Sequence, residues 1–320
     1  MNKKLIITAD DYGVWSNIDR GIRKCATIGI IDNVDIMVTQ GDYSKKSVKK
    51  LMSLNNMKIK RGELTLGLHL SLSCGIPQYL GDVDYLKAAT RRVKLKVTNT
   101  YRYEFLYPGG VKMIEKIADL VKNHKEALRL EMIAQYERFK EITGMEPSQI
   151  SSHMGVYNAN KEIYDVLNEF CQSKNIPMRC PTLISMESGL ENKWTNPKQR
   201  LLPEDLIIFL TGMEGKAILN WIRTGQRTAY NEDRNKGLVG RDYFIEHFFK
   251  NGSIENLNKI IKNVQNTGDY SYEMVVHPVA SPSINGIPTG VTKLGFSKRY
   301  DEYLTLLTDD AREMVDSYNG

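Results

Sequence analysis

The stretch Leu66-Gly67-Leu68-His69-Leu70-Ser71-Leu72 decides how this chain reads. Four leucines alternate with glycine, histidine and serine. Side chains of a β-strand point alternately to opposite faces. One face of this segment is therefore wholly apolar, and the other holds Gly67, His69 and Ser71. In a barrel the leucines would pack on outer helices and His69 would point inward.

Working outward from that strand, Leu5 to Thr8 is a first β-rich run, and Val34 to Thr39 a second. Between them Ser16 is a candidate N-cap for a helix with Ile18, Ile22 and Ala26 at helical spacing, stopped by Gly29. Tyr43 to Asn55 is a basic helix with Val48, Leu51 and Leu54 as its apolar stripe. With Leu64–Leu72 as the third strand, this βαβαβ opening predicts parallel strands with helices outside.

Farther along, helices are expected from about Val111 to Asn123, Glu126 to Ile142, Asn160 to Lys174, Asp242 to Lys250 and Ile254 to Asn266. Two short ones follow, at Tyr300–Leu307 and Asp309–Ser317. Strands are expected at Ser148–His153, Met178–Ile184, Leu206–Leu210 and Tyr272–His277. Tyr101, Tyr103, Phe105 and Tyr107 alternate at period two, as in a hairpin, and Arg91 to Lys96 reads as a solvated edge. There is no internal repeat or linker. Residues 1–320 read as a single domain with insertions at about 73–110 and 185–240.

The 320 residues are 41% hydrophobic and 26% charged, which excludes a wholly disordered chain. A net charge of +6 over this length is too weak to argue for nucleic acid. No apolar run approaches the ~18 residues of a membrane helix. The opening apolar run is too short for a signal peptide, so a cytoplasmic location is expected. Cys25, Cys74, Cys171 and Cys180 form no C-x-x-C pair and read as reduced, mostly buried thiols. A homodimer is the default expectation among soluble oligomers.

Polar residues collect where strands end. The first strand runs into Asp10-Asp11, the third holds His69, and the later ones end at His153 and His277. Three of the five histidines thus lie at or near strand C-termini, the rim on which α/β barrels build active sites. A carboxylate with two imidazoles suits a divalent metal, with positions left for water and substrate. Singly, each residue has a plainer explanation. Asp10-Asp11 before Tyr12-Gly13 is also a turn feeding a helix, and a lone histidine in a strand is usually a satisfied buried group. His124 and His247, in helical patterns, read as structural.

Taken together, the segments resemble the YdjC-like carbohydrate deacetylases. Thr8-Ala9-Asp10-Asp11-Tyr12-Gly13 is similar to that family's A-D-D-F-G, with Asn17, Gly21 and Gly29-Ile30 continuing the match. Gly67-Leu68-His69 resembles its G-x-H, Ser151-Ser152-His153 its D-S-H, and His277-Pro278 the start of its H-P-G. The resemblance implies a deformed (β/α) TIM-like barrel that removes an N-acetyl group from an amino sugar or short oligosaccharide. It implies one divalent cation, zinc or magnesium, held by Asp11, His69 and His153. Asp10 falls on the general base, and His277 on an acid or substrate-positioning group.

The chain departs from the pattern at three places. Ser151 stands where Asp is expected, Val279 where Gly is usual, and Met154-Gly155 follows His153 without further histidines. If the expected Asp orients a ligand histidine, its loss weakens metal binding ~10–100-fold. A non-catalytic carbohydrate-binding protein on a decayed scaffold is the main alternative. Another is a hydrolase of a different amide or a phosphoester, with Arg91, Arg92, Arg223, Arg227 and Arg234 facing an anion.

Overall fold

A computed structural model describes residues 4–95, 100–106, 110–158, 161–180, 240–245, 248, 251–266, 270–286 and 296–319. The strands are β1 (Leu5–Tyr12), β2 (Asn33–Ile36), β3 (Thr65–Leu70), β4 (Thr90–Lys94), β5 (Tyr101–Phe105), β6 (Ile150–Ser152), β7 (Tyr243–Ile245) and β8 (Tyr272–Val276). The helices are α1 (Ser16–Ile28), α2 (Asp42–Lys60), α3 (Val83–Ala89), α4 (Gly110–Thr143), α5 (Lys161–Lys174), α6 (Ile254–Gln265), α7 (Phe296–Leu306) and α8 (Asp309–Asn319).

Six parallel strands in the order β6-β3-β2-β1-β8-β7 form a sheet curled into a half-barrel, with helices packed outside. The fold is the deformed TIM-like barrel that the resemblance implies. Register puts like with like. On the outward face Ile7 pairs with Met274, Ala9 with Val34 and Val276, Val34 with Leu66, Ile36 with Leu68, and Leu68 with Ile150. All are buried. On the inward face Thr8 pairs with Asn33, Asp35 with Gly67, His69 with Ser151, and Ile6 with Glu273. A parallel sheet covered on both faces usually reads as continuous apolar runs. Here the interior is polar instead, and its groups must find partners or cost several kcal/mol each.

The helices follow local signals. Gly29 ends α1 in a left-handed conformation (φ 93°), a backbone that a Cβ would disfavour. Asp82 caps α3 by accepting from the Tyr85 N–H at 2.8 Å. That helix lies inside the insertion expected at about 73–110. The two helices expected at 111–123 and 126–142 meet within α4 at a kink at His124 (φ −138°, ψ 33°), where the sequence placed the break. α1 begins at Ser16, but Trp15 is its N-cap residue and no side chain caps it. The tyrosine alternation at 101–105 does form a hairpin, β4–β5.

Two expectations fail in part. Of the helix expected over Asp242–Lys250, residues 243–245 form β7 instead, because Tyr243 and Ile245 pair with Tyr272 and Met274 at the sheet edge. The strand expected at Met178–Ile184 reduces, over its described residues, to one parallel bridge between Met178 and Ile150. The Leu206–Leu210 strand, His247, most of the 185–240 insertion and Arg223, Arg227 and Arg234 lie outside the described residues. All four cysteines are buried and unbridged. Among the described residues no helix is long and apolar enough to cross a membrane.

Candidate metal centre

Consecutive strand residues should face opposite ways, so Asp10 and Asp11 could not both point into the barrel from a regular strand. The pairing of β1 with β2 is irregular between Ala9 and Tyr12, and Asp11 adopts φ 67°. Left-handed backbone in a non-glycine residue costs energy and clusters where function requires it. Here it turns both carboxylates toward His69, whose Nε2 is 3.7 Å from Asp10 Oδ2 and 3.5 Å from Asp11 Oδ1. The turn is braced from below. Buried Asp19 of α1 accepts from the Gly13 N–H at 2.8 Å and from the Tyr43 hydroxyl at 2.6 Å. Gly13 has φ 90°, and a Cβ there would lie 2.7 Å from the Met37 carbonyl oxygen.

His153 follows β6 directly, and its Nδ1 lies 2.9 Å from Asp11 Oδ1. Met154 and Gly155 then both take left-handed backbone (φ 63° and 59°), turning the chain away. Asp11, His69 and His153 each offer one ligand atom, all within 4.8 Å of one another and all buried. One carboxylate oxygen and two imidazole nitrogens converging from three strand ends fit a divalent cation of the zinc class.

A second group, Asp10, Asp35 and His69, satisfies the same spacing. Arg179 already engages its carboxylates. Its NH1 and NH2 donate to the two Asp10 oxygens at 2.7 and 2.8 Å, NH2 donates to Asp35 at 2.9 Å, and Nε donates to Glu273 at 3.0 Å. The guanidinium fills the place a second cation would take.

These charges set the protonation states. Burial pushes the Asp10 carboxyl up, but the Arg179 charge and then His69 outweigh it, and Asp10 ends below the usual range. Asp11 is likewise raised by burial and carried well below that range by His153, His69 and Arg299. For Asp35 burial wins with help from Asp10 and Glu273, against the pull of Arg179, and the carboxyl is pushed up to about 6. His277, at the end of β8, is pushed down to about 4 by burial and then by Arg299.

His277 is held at this rim by α1. A Cβ on Gly21 would lie 2.4 Å from the Pro278 carbonyl oxygen, so only glycine admits that approach. The Asn17 side chain donates to Ser281 O at 2.7 Å.

Sequence reasoning placed Asp10, Asp11, His69, His153 and His277 together at the strand ends, and the structure gathers them. It missed Asp35, Arg179, Glu273 and Arg299, which donates to Asp11 Oδ2 at 3.0 Å. The available signal was a lone charge inside an apolar strand, as in Val34-Asp35-Ile36 and Tyr272-Glu273-Met274. The serine at 151 does not leave His69 unsupported: its Oγ lies 2.7 Å from His69 Nδ1 and donates to Asp35.

The model of the family described as YdjC-like protein matches residues 4–317. A chitooligosaccharide deacetylase of Proteus mirabilis is 27% identical over 191 residues, covering 59% of this chain and 63% of that protein. A carbohydrate deacetylase of Xenopus laevis is 26% identical over 216 residues, covering 67% of this chain and 59% of that protein. The alignments thus span less than two thirds of these relatives. A solved structure of a putative cellobiose-phosphate cleavage protein from Enterococcus faecalis superposes with a TM-score of 0.61 at 17% identity. It covers 100% of this chain and 96% of that one, a likeness of fold alone.

Proposed function

The chain belongs to the YdjC-like family, and from that premise we propose that it is a metal-dependent hydrolase that removes the N-acetyl group of an amino sugar or short oligosaccharide. The observation behind this reading is the convergence of Asp11, His69 and His153 beside an Asp10 carboxylate held in place by Arg179. Asp11, His69 and His153 would hold the cation. When bound, a divalent cation polarises an amide carbonyl and makes water more acidic.

The protein's own groups supply the rest. Asp10 is ionised near neutral pH and has no donor of its own, so it serves as the base that takes the proton from the attacking water. Arg179 fixes the plane of that carboxylate through two hydrogen bonds, which keeps it from rotating onto His69. Cleavage of the amide bond yields acetate and a free amino sugar, with the water proton passing to the leaving nitrogen. His277 is neutral near pH 7, so it orients the substrate through a ring N–H or lone pair more readily than it stores a proton.

Acetate release from N-acetylated chitooligosaccharides, measured beside metal content by mass spectrometry, tests the reading. About one metal per chain is expected, lost in His69→Ala and His153→Ala together with activity. Asp10→Asn should keep the metal and lose turnover by about 10²–10⁴-fold. Full turnover by metal-stripped protein, or no acetate from any N-acetylated sugar, overturns it.

A further inference from the structure

Ser151 stands where the resemblance places an aspartate, and the sequence alone predicted weaker support for the metal site. The sheet supplies the carboxylate from another strand. β3 lies between β2 and β6, and Asp35 of β2 and Ser151 of β6 reach each other across its inward face. They can do so because position 67 is glycine. A Cβ there would lie 2.0 Å from Asp35 Oδ1, in the space the carboxylate takes.

The direction of each hydrogen bond follows from the partners. Asp35 is surrounded by donors: Arg179 NH2 at 2.9 Å, Gln149 Nε2 at 3.1 Å, the Asn33 amide and the Ser151 hydroxyl. The serine has one proton, and it goes to the carboxylate. Its oxygen is then left to accept from His69 Nδ1, 2.7 Å away. The imidazole tautomer with Nδ1–H has its lone pair on Nε2, the nitrogen that faces Asp10 and Asp11. A ligand histidine depends on such a partner for ring orientation and basicity.

We propose that Asp35 and Ser151 are positioning residues that act in series to hold His69 as the Nδ1–H tautomer, with Nε2 presented to the metal. This relay replaces the direct aspartate of the family pattern by a carboxylate on the strand at the other side of β3, reached through the serine. The proposal deepens the deacetylase reading and rests on it for the identity of the metal ligands.

Two measurements test it. In uniformly ¹⁵N-labelled, metal-free protein, long-range ¹H–¹⁵N spectra at a pH where the ring is neutral should show His69 protonated on Nδ1. The Ser151→Ala variant should lose that preference. Zinc affinity by chelator competition, with zinc alone as the probe, should fall ~10–100-fold in Ser151→Ala. Asp35→Asn should cost about the same, and the double variant no more than either alone. Exchanging the pair, Asp35→Ser with Ser151→Asp, should restore affinity to within a few-fold of wild type.

Ser151→Ala is the deciding variant because it leaves the Arg179–Asp35 contact in place, whereas changes at Asp35 also disturb the Asp10 clamp. Unchanged zinc affinity in Ser151→Ala, or a neutral His69 protonated on Nε2, overturns the relay. Should a variant fail to fold, the wild-type tautomer still decides. Absence of zinc binding by wild type would overturn the metal reading, and the tautomer of metal-free protein would separately decide the relay.

Discussion

The two faces of the six-stranded sheet are built on opposite principles. Outward, Leu5, Ile7, Ala9, Val34, Leu66, Leu68, Ile150, Met274 and Val276 are buried against helices, and each removes apolar surface from water. Inward, Asp10, Asp35, His69, Ser151, Arg179 and Glu273 are as deeply buried and bring charge with them. The outward face stabilises the fold. The inward face costs stability, since desolvating an ion pair can exceed what the pair returns. An interior kept polar at that cost is an interior kept for chemistry, and the difference between the faces locates the site without reference to any relative.

The contrast breaks most sharply at Arg179. Three carboxylates share this one guanidinium, and an apolar side chain of similar length would leave them together without its charge. Arg179→Met is expected to lose ~3–5 kcal/mol of stability at pH 8, read by chemical denaturation. Without the arginine, burial would leave the carboxyls of Asp10 and Asp35 taking up protons more readily when folded than when unfolded. Stability of the variant should therefore recover as pH falls from 8 to 5. A loss that is the same at both values would mean that lost packing, not unpaired charge, is the cause.

Glu302 sharpens the comparison, because it is a buried carboxylate off the sheet. It lies on α7 and accepts the His277 N–H at 2.7 Å. Burial pushes its carboxyl up to about 8, against the pull of that N–H and of Arg299. Below pH ~4.5 both folded and unfolded chains hold the proton, and the group costs nothing. As pH rises the unfolded chain releases it first, and stability falls until pH passes about 8. Glu302→Gln keeps the acceptor and removes the titration. It should be more stable than wild type at pH 8 by a few kcal/mol, and nearly equal to it at pH 4. Parallel stability curves from pH 4 to 8 would contradict the assigned protonation.

The sequence made the outward face legible because period-two leucines state it directly, and helix caps such as Gly29 mark where elements stop. The cluster of Asp11, His69 and His153 was legible because each lies at or near the end of a strand. The supporting charges were not, for a physical reason. Asp35 and Glu273 look like faults in apolar strands until pairing shows that both point into one interior. Arg179 lies in the segment expected as the strand Met178–Ile184, where nothing in the alternation marks it as a charge aimed at Asp10 and Asp35, and Arg299 arrives from a helix far along the chain. The left-handed Asp11 was hidden for a related reason: two adjacent aspartates do not announce that one will twist to share a face with the other. β7 was misread because its three residues become a strand only by pairing with β8.

The smallest effect belongs to a pair with nearly the same geometry as the Arg179–Asp10 clamp. On α4, Arg129 donates to both Glu126 oxygens, from Nε at 2.9 Å and NH2 at 2.7 Å. Both clamps are two-bonded, but this one stands in water. Its hydrogen bonds replace equally good ones to solvent, salt screens its charge, and holding two long side chains costs entropy. Geometry alone therefore does not set the worth of an ion pair; the surroundings do. Glu126→Ala, compared with Arg179→Met by thermal denaturation in the same buffer, should leave the melting temperature unchanged within measurement error. A clear drop in Glu126→Ala would mean that clamp geometry stabilises this protein wherever it occurs, and burial would no longer explain the weight assigned to Arg179.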